Sequence, residues 1–429
     1  FAGYLYLSES WIGFLYIALA FVVAFVAVLF RHLKLRKHIA DLQNYIRINQ
    51  SEQSYLNGDL SAFDGGQEWV KGEHLFSNDL DLFGNHSLFQ HINRTVTLGG
   101  KMKLADELLG EKSDNIPAKQ EAVKELTPDV DWRQGFMVAA SDIEENPYLK
   151  PTLENWLSKE SAKSKVAKPW LLYPLALIGI GLLIIWLITP TLQHFNWFSY
   201  AFGLNLFLVF SQYKFIKKEY DKLNKISKSL TLYSQLLQHI ENREFKCVEL
   251  QKLKERLESS SEKASAVLGK LSKLLDGFDQ MSNVVALIFT NGLYHYHLHV
   301  LNGLYNWKKN HGIAIYEWLD VVAEFDQLVS KANYAYNHPD FTYPEVSMEP
   351  GFTAKDLGHP MINSAKRVNN NLNFEDFRYA VLTGSNMSGK STFLRSIGVN
   401  LVLMKAGLPV CASQMSAYPF TLLSSMKVV

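Results

Sequence analysis

The chain has 429 residues and a formal net charge of +1 at pH 7, from 43 Lys and Arg against 42 Asp and Glu. This length predicts about two to four domains. The balanced charge argues against a globally basic surface for nucleic acid and against an acidic tail. Cys247 and Cys411 lie far apart without disulfide or metal-ligand spacing, which fits a reducing compartment.

The first predicted element is a membrane span over residues 11–30, WIGFLYIALAFVVAFVAVLF, which carries no charge. Twenty residues of helix extend roughly 30 Å, enough to cross the hydrocarbon core of a bilayer. The segment RHLKLRKH follows at once, and its positive charges mark that end as cytoplasmic. A buried core helix is the alternative. The preceding FAGYLYLSES is then predicted to be an external loop, and we expect the natural chain to begin earlier.

A membrane hairpin is predicted next, from uncharged segments over residues 170–190 and 197–213. The link TLQHFN contains no Lys or Arg, whereas lysines stand on both outer flanks. Both outer ends are therefore predicted to be cytoplasmic, in agreement with the first span. The flanking lysines are Lys163, Lys165, Lys168, Lys214, Lys217 and Lys218.

The rest of the chain before residue 341 is predicted to be helical. Residues 39–168 are polar with scattered helical patterns, and residues 315–339 form an amphipathic pattern ended by Asn-His-Pro. Residues 214–280 carry apolar side chains every three or four positions, which predicts one long amphipathic helix or two, either a coiled coil or a lever.

The predicted secondary structure changes from Phe341 onwards. Residues 378–384, RYAVLTG, are predicted to be a short apolar strand, and residues 391–407 a helix with a glycine stop. Between them stands GSNMSGKS, which fits the phosphate-binding pattern G-x-x-x-x-G-K-[ST]. Strand, glycine-rich turn and helix are the context that such a loop requires.

Each residue type in this loop has a physical reason. The glycines allow a tight turn whose N–H groups, together with the positive end of the helix, hold phosphate oxygens. Lys390 is expected to reach the β- and γ-phosphates of ATP, Ser391 to ligate Mg²⁺, and Thr392 to help anchor phosphate. The alternative is a glycine turn before an ordinary helix.

Hydrolysis is not expected from this chain as it stands. A P-loop ATPase needs an acidic residue on a later strand, and no Asp or Glu follows Ser391. Glu375 and Asp376 precede the loop and are wrongly placed for that role. The catalytic residues therefore remain unassigned, and we expect the rest of the ATPase domain to lie beyond Val429.

These patterns predict a mainly α chain with transmembrane helices, plus a partial α/β P-loop NTPase domain at the C-terminus. Five regions are expected: a span with its basic flank, a first cytoplasmic helical region, a transmembrane hairpin, a second helical region, and the N-terminal part of the ATPase domain. Their predicted bounds are residues 1–38, 39–168, 169–213, 214–340 and 341–429.

The segment LTGSNMSGKSTFLRSIGVNLVLMKAGLPVCA resembles the MutS family of DNA mismatch repair ATPases, whose loop reads T-G-P-N-M-G-G-K-S-T. DLGHPMI resembles that family's R-H-P segment. LFGNHSLFQHINRTVTLGGKMKLADELL and WLDVVAEFDQLVSKANYAYNHP resemble parts of its core and lever regions. The resemblance covers about residues 75–155 and 280–418.

The resemblance implies an ATP-switched clamp on DNA that works as a homodimer. The predicted spans and their charged flanks make the chain integral to the inner or plasma membrane, with its soluble domains in the cytoplasm. It implies a core and lever character for the two helical regions. The implied nucleotide-binding residues are Gly384, Ser385, Asn386, Met387, Ser388, Gly389, Lys390, Ser391 and Thr392, with Ser391 on Mg²⁺.

Several features depart from that family. Ser385 and Ser388 replace the usual Pro and Gly, no Phe-x-Glu mismatch wedge occurs, and a hairpin interrupts the lever region. These departures argue against mismatch reading. One alternative is a membrane mechanochemical ATPase that acts on a protein or lipid partner. Another is a transporter subunit, which the absence of charged residues inside the spans disfavours.

Overall fold

A computed structural model of the chain describes residues 2–70, 74–110, 115–141, 145–158, 169–258, 262–279, 284–374, 379–385 and 387–425. Within these ranges the side chains are described except at residues 2–16, 19, 169 and 279. The chain divides into two units, Phe1–Asp59 and Leu60–Val429.

The first unit is one helix, α1 (Ala2–Leu56). It contains the first predicted span and the basic segment after it without interruption. The prediction of an external loop at the start is wrong for residues 2–10, which belong to this helix. No proline occurs in that stretch, so nothing removes a helical N–H donor or blocks the helix there.

The second unit is mainly helical, which confirms that part of the predicted fold class. Short 3₁₀ turns lie at Gln67–Trp69 and Asn224–Ile226. The α-helices are, in chain order, α2 (Leu88–Ile92), α3 (Leu98–Leu108), α4 (Ile116–Leu126), α5 (Val130–Ser141), α6 (Leu149–Ser158), α7 (Pro169–Ile188), α8 (Leu192–Ser211), α9 (Tyr213–Leu223), α10 (Ser227–Glu241), α11 (Val248–Glu255), α12 (Ala264–Asp279), α13 (Val284–Tyr294), α14 (Tyr296–His311), α15 (Ala314–Asn337) and α16 (Lys390–Lys405).

A small mixed sheet accompanies these helices. Its strands are β1 (Glu345–Val346), β2 (Phe352–Leu357), β3 (Asn370–Asn373) and β4 (Gln414–Ala417), in the order β1-β4-β2-β3. β1 is parallel to β4, whereas β2 is antiparallel to both β4 and β3. The described residues thus contain an α/β layer, but they do not show the parallel sheet of a P-loop NTPase domain.

Helix α16 is anchored in the main hydrophobic core. Val399, Leu403 and Met404 are fully buried there among side chains of α3 and the sheet. At Gly398 the helix passes close to Leu80, whose side chain would lie 2.6 Å from a Cβ atom added at the glycine. Tight packing of this kind fixes the position of the whole helix, and therefore of its first turn.

Helices α3 and α15 pack together around Asp326. Its buried carboxyl group accepts hydrogen bonds from the backbone N–H of Thr97 at 2.8 Å and from the Thr97 hydroxyl at 2.7 Å. Thr97 is also the N-cap of α3. A Cβ atom at Gly100 would lie 2.2 Å from the Asp326 carboxylate, so only glycine allows this close approach.

The prediction of one long amphipathic helix or two over residues 214–280 is wrong. The chain instead forms α9, α10, α11 and α12, with α10 and α12 packed side by side along a polar seam. The Thr231 and Ser272 hydroxyls lie 2.6 Å apart in that seam. Before α11 the Glu125 carboxylate accepts the backbone N–H of Lys246 at 3.0 Å. The apolar repeat therefore serves helices that fold back on each other, which a helical period alone cannot distinguish from a lever.

The predicted hairpin forms as α7 and α8, with Trp186 stacked on Phe198 at 6.4 Å between ring centroids. In the described part of the chain, one helix is long and apolar enough to cross a membrane, over Trp170–Ile188. The second arm, α8, falls short of that apolarity because it carries Gln193, His194, Asn196 and Asn205. Some side chains of the first predicted span, residues 11–16 and 19, lie outside the described set.

Candidate nucleotide-binding site

The candidate site begins at the N-terminus of α16. Gly389 is the N-cap residue of that helix and has a φ of 86°, a left-handed conformation that favours glycine. The first turn of an α-helix has N–H groups without helical partners, and it carries the positive end of the helix dipole. The chain therefore directs hydrogen-bond donors and partial positive charge towards whatever lies in front of Gly389.

Lys390 closes the loop on itself. Its ammonium group donates hydrogen bonds to the carbonyl oxygens of Gly384 and Ser385, both at 2.6 Å. The Ser388 N–H also donates to the Ser385 carbonyl at 3.3 Å. These contacts draw the loop into a compact turn with a cation at its centre, which is the arrangement expected of a cradle for an anion.

A cleft of about 470 Å³ lies in front of this loop. Ser388, Gly389, Lys390 and Thr392 line one side of it, and Lys366 and Arg367 add positive charge to the lining. No Asp or Glu belongs to the described lining. Three cations and a helix N-terminus therefore meet in one concavity, and only Arg367 among them has a nearby carboxylate, that of Asp340 outside the lining, which suits a polyanionic ligand.

A larger cleft of about 890 Å³ lies on the sheet instead, against Thr353, Lys355 and Ser416. It is more voluminous, but its charged residues are one lysine and one glutamate, Lys355 and Glu345, and it faces no helix N-terminus. Cleft volume alone does not indicate phosphate binding, so the cleft at α16 is the better candidate for a phosphate-bearing ligand.

The remaining predicted loop residues have distinct positions. At Gly384 an added Cβ atom would lie 2.9 Å from the Ser388 hydroxyl, so the turn leaves little room for a side chain there. Met387 has a φ of 66° and a fully exposed side chain. Ser391 is exposed on the first turn of α16 and does not line the cleft. Asn386 lies outside the described residues.

The strand predicted before the loop is wrong for residues 379–384, which form no strand. Tyr379 and Val381 are largely exposed. A β-strand needs a neighbour to receive its N–H and C=O groups, and no described strand pairs with this segment. The segment therefore has the predicted apolar composition without the predicted hydrogen bonding.

Asn400 ties α16 to the chain that flanks the cleft. Its side-chain amide donates to the Gly358 carbonyl at 2.9 Å and accepts from the Cys411 N–H at 2.7 Å. It also donates to the Ser396 carbonyl, one turn earlier, at 2.7 Å. All its hydrogen-bonding groups are thus used in a buried position, which holds the helix in register with the cleft wall.

Histidine and arginine side chains lie in and next to the wall of the cleft. His359 lines the cleft, and burial, reinforced by the nearby Arg395, lowers its pKa to about 4, so the ring is neutral at pH 7. Arg395 donates a hydrogen bond to the Asp81 carboxylate at 2.8 Å. Arg367 lies 3.5 Å from the Asp340 carboxylate and over the Phe341 ring, so its guanidinium group is held at the edge of the cleft.

A metal site built from protein ligands alone is not found within the described ranges, where no group of three His, Cys, Asp or Glu side chains converges. A Mg²⁺ ion at a phosphate loop takes one hydroxyl ligand from the loop itself, and phosphate oxygens and waters supply most of its other ligands. The exposed Ser391 hydroxyl at the start of α16 is compatible with that smaller requirement.

Comparison with known proteins gives partial relatives, whereas no family model matches the chain. A DNA mismatch repair protein MutS from Haloquadratum walsbyi is 36% identical over 103 residues, which is 22% of this chain and 10% of the relative. An endonuclease MutS2 from Clostridium novyi is 32% identical over 102 residues, 24% of this chain and 13% of the relative. A MutS protein from Desulfitobacterium hafniense is 31% identical over 111 residues, 25% of this chain and 13% of the relative.

About a quarter of this chain is distantly related to MutS and MutS2 proteins. The matched part spans only 10% to 13% of the length of the three relatives described above. The relation therefore supports the MutS resemblance for part of the chain.

Sequence reasoning missed Lys366 and Arg367 as part of the cleft. Both follow the DLGHPMI segment and precede β3, in a stretch that has no phosphate-binding pattern of its own. The only available signal was a pair of adjacent cations shortly before the loop. Their convergence on Lys390 depends on how β2 and β3 turn back beside α16.

Proposed function

We propose that this chain is a membrane-anchored, MutS-like ATP-binding protein whose nucleotide site is the loop from Gly384 to Thr392. The observation that carries the proposal is the cleft at the N-terminus of α16, where Lys390, Lys366 and Arg367 meet without a carboxylate in the described lining. The partial relation to MutS and MutS2 proteins supports the same assignment.

The residues divide the work of binding ATP and Mg²⁺. The N–H groups at the start of α16 hold phosphate oxygens, and the Lys390 ammonium exchanges its two loop carbonyls for phosphate. The Ser391 hydroxyl supplies a ligand to Mg²⁺ beside the phosphates. Because the described lining contains no Asp or Glu, the proposal concerns nucleotide binding and not hydrolysis.

Membrane anchoring is proposed through the α7–α8 hairpin and the apolar part of α1. The hairpin exposes large apolar side chains along its length, including Trp170, Leu177 and Ile188. An exposed surface of this kind needs an apolar environment. The lysines that flank the hairpin in sequence favour a cytoplasmic position for the nucleotide site and its surrounding domain, at the inner or plasma membrane.

DNA is the proposed partner of the ATP-switched form, which we expect to act as a homodimer. The test is fluorescence anisotropy of a labelled DNA duplex with the full chain in detergent, at low and moderate salt, with and without ATP. The proposal expects ATP to change the DNA affinity and salt to weaken it. Lys390→Ala should lose the response to ATP, whereas the surface control Lys252→Ala should keep it. No DNA affinity at low salt in either nucleotide state would contradict this part of the proposal.

A second candidate is a mechanochemical P-loop ATPase that acts through its hairpin on a protein or lipid partner. It is favoured by contacts that tie α9, the helix that follows α8 in the chain, to α6 and α14 of the helical bundle. The Trp156 indole donates to the Glu219 carboxylate of α9 at 3.1 Å, and Lys308 of α14 donates to the Trp156 carbonyl at 2.5 Å. ATP-dependent labelling of a cysteine at Leu177, with no effect of ATP on DNA binding, would favour this candidate over the DNA clamp.

A further inference from the structure

Helix α13 (Val284–Tyr294) is a short apolar helix that the soluble bundle does not enclose. Its sequence, VVALIFTNGLY, contains no charged residue. Val284, Val285 and Phe289 are 64%, 65% and 58% exposed, respectively. Side chains of this size are normally covered in a soluble helix, so the outer face of α13 lacks a partner within the described chain.

The inner face of α13 is docked on the hairpin. The Asn205 side chain of α8 is buried and donates a hydrogen bond to the Gly292 carbonyl at 2.8 Å. Gly292 allows the Phe202 ring to approach, since an added Cβ atom would lie 2.2 Å from it. Phe202 also meets Phe289 edge to face, with 6.3 Å between centroids. A small residue at the contact and a buried amide across it are typical of helix packing in membranes.

These contacts fix the direction of α13. Asn205 contacts Gly292, and Phe202 contacts Phe289, in the same order along both helices, so α13 runs parallel to α8. The end of α13 lies near the start of α7, because the His299 ring lies 4.7 Å from those of both Tyr173 and Tyr294. The C-terminal end of α13 is therefore at the end of the hairpin where α7 begins and α8 ends.

The end of α12, before α13, and the start of α14, after it, lie close to each other. The Phe278 ring, near the end of α12, lies 6.2 Å from the His297 ring at the start of α14. Eleven residues of helix rise only about 16 Å, roughly half of a hydrocarbon core. Helix α13 is thus long enough to enter half of a bilayer and too short to cross it.

We infer that α13 is a re-entrant membrane helix, which enters the bilayer beside the hairpin, presents Val284, Val285 and Phe289 to lipid acyl chains, and leaves on the side it entered. The inference rests on the proposed insertion of the α7–α8 hairpin. The exposed apolar surface of α13 continues that of the hairpin through Phe202 and Phe289, which is why lipid, rather than a soluble partner, is the occupant. The Asn205–Gly292 hydrogen bond keeps the one polar side chain of the contact satisfied inside the membrane.

Site-directed spin labelling of the full chain in phosphatidylcholine–phosphatidylglycerol vesicles tests this inference. Single cysteines replace Val285 of α13, Leu177 of the hairpin and Val248 of α11 in a Cys247→Ser background. Val248 is the matched control, since it is a similarly exposed valine (62%) on a helix of the soluble bundle. Cys411 is retained because it is only 2% exposed, and the Cys247→Ser chain measures its background labelling.

The measurement compares collisions with oxygen, which partitions into lipid, and with the water-soluble nickel complex of ethylenediaminediacetate. We expect the oxygen-to-nickel ratio at Val285→Cys to be several-fold above that at Val248→Cys and close to that at Leu177→Cys. If the label at Val285 is accessible to nickel while the label at Leu177 is exposed to lipid, the inference for α13 is overturned, but the proposed membrane insertion of the hairpin is not contradicted. Nickel accessibility at both would instead reject the proposed membrane insertion. Low collision rates with both reagents at Val285 would mean that protein covers this face of α13, which would also overturn the inference.

Discussion

The ammonium group of Lys390 donates a hydrogen bond to the Gly384 carbonyl at 2.6 Å, across the full length of the glycine-rich loop. The residue that the loop pattern assigns to phosphate is therefore held by the loop's own backbone. An incoming phosphate must replace that carbonyl and the carbonyl of Ser385 as partners of the ammonium group. The exchange is favourable for an anion because a hydrogen bond between the ammonium group and phosphate, in which both partners are charged, is stronger than one to a neutral carbonyl.

Replacing Asn400 by leucine should destabilise the region around α16 by about 2–4 kcal/mol. The substitution keeps the side-chain volume but leaves the Gly358 carbonyl and the Cys411 N–H buried without their partner. Urea unfolding of the purified chain, followed by tryptophan fluorescence, measures the change.

Asn49→Leu is the control for that substitution. Asn49 also bonds the carbonyl four residues earlier in its helix, at 2.8 Å to Tyr45, but it is exposed. Its loss should change the free energy of unfolding by no more than about 0.5 kcal/mol. Equal effects of the two substitutions would show that the Asn400 network does not hold α16 in place.

The carboxyl group of Asp326 should make stability depend on pH. Burial raises its pKa from 3.8 to about 7, against the lowering effect of the hydrogen bonds from Val96 and Thr97. The folded chain therefore binds more protons than the unfolded chain between pH 4 and pH 7. The resulting stabilisation is fully present below pH 4 and is lost as pH rises to 7, by at most about 1.4 kcal/mol per pH unit.

Comparison with Asp326→Asn isolates this group from the other titrating residues. The difference in unfolding free energy between the wild-type chain and the variant should fall as pH rises from 5 to 7 and stay level from 7 to 8. Denaturant unfolding at pH 5, 6, 7 and 8 provides the values. A difference that is constant with pH would mean that Asp326 is ionised throughout this range.

The fold was predictable from sequence where a local pattern coincides with a complete element. The predicted helices over residues 315–339 and 391–407 correspond to α15 (Ala314–Asn337) and α16 (Lys390–Lys405), and the predicted glycine stop is Gly407, with a φ of 73°. The breaks between α9 and α12 were not predictable, since the apolar period continues across them and tertiary contacts such as Glu125 with Lys246 decide where the chain turns. Helix α13 escaped notice because eleven apolar residues are too few for a predicted span.

Only the part of the candidate site that is contiguous in sequence was predictable. Gly389, Lys390 and Thr392 stand in one recognisable pattern, and the structure brings them to one cleft. Lys366 and Arg367 reach the same cleft from a separate segment, which no spacing rule connects to the loop. The predicted strand before the loop failed because its formation depends on a neighbouring strand, and composition does not reveal whether a neighbour exists.

Equilibrium binding of a fluorescent ATP analogue with Mg²⁺ to the full chain tests the central claim most directly, with Lys390→Ala compared against Lys252→Ala. Lys252 is an exposed lysine of α11 that does not line the cleft. Loss of the Lys390 charge should remove about 1.5–3 kcal/mol of binding free energy, which weakens affinity on the order of tenfold to a hundredfold. The account predicts this loss for Lys390→Ala alone, and wild-type affinity in that variant would contradict it.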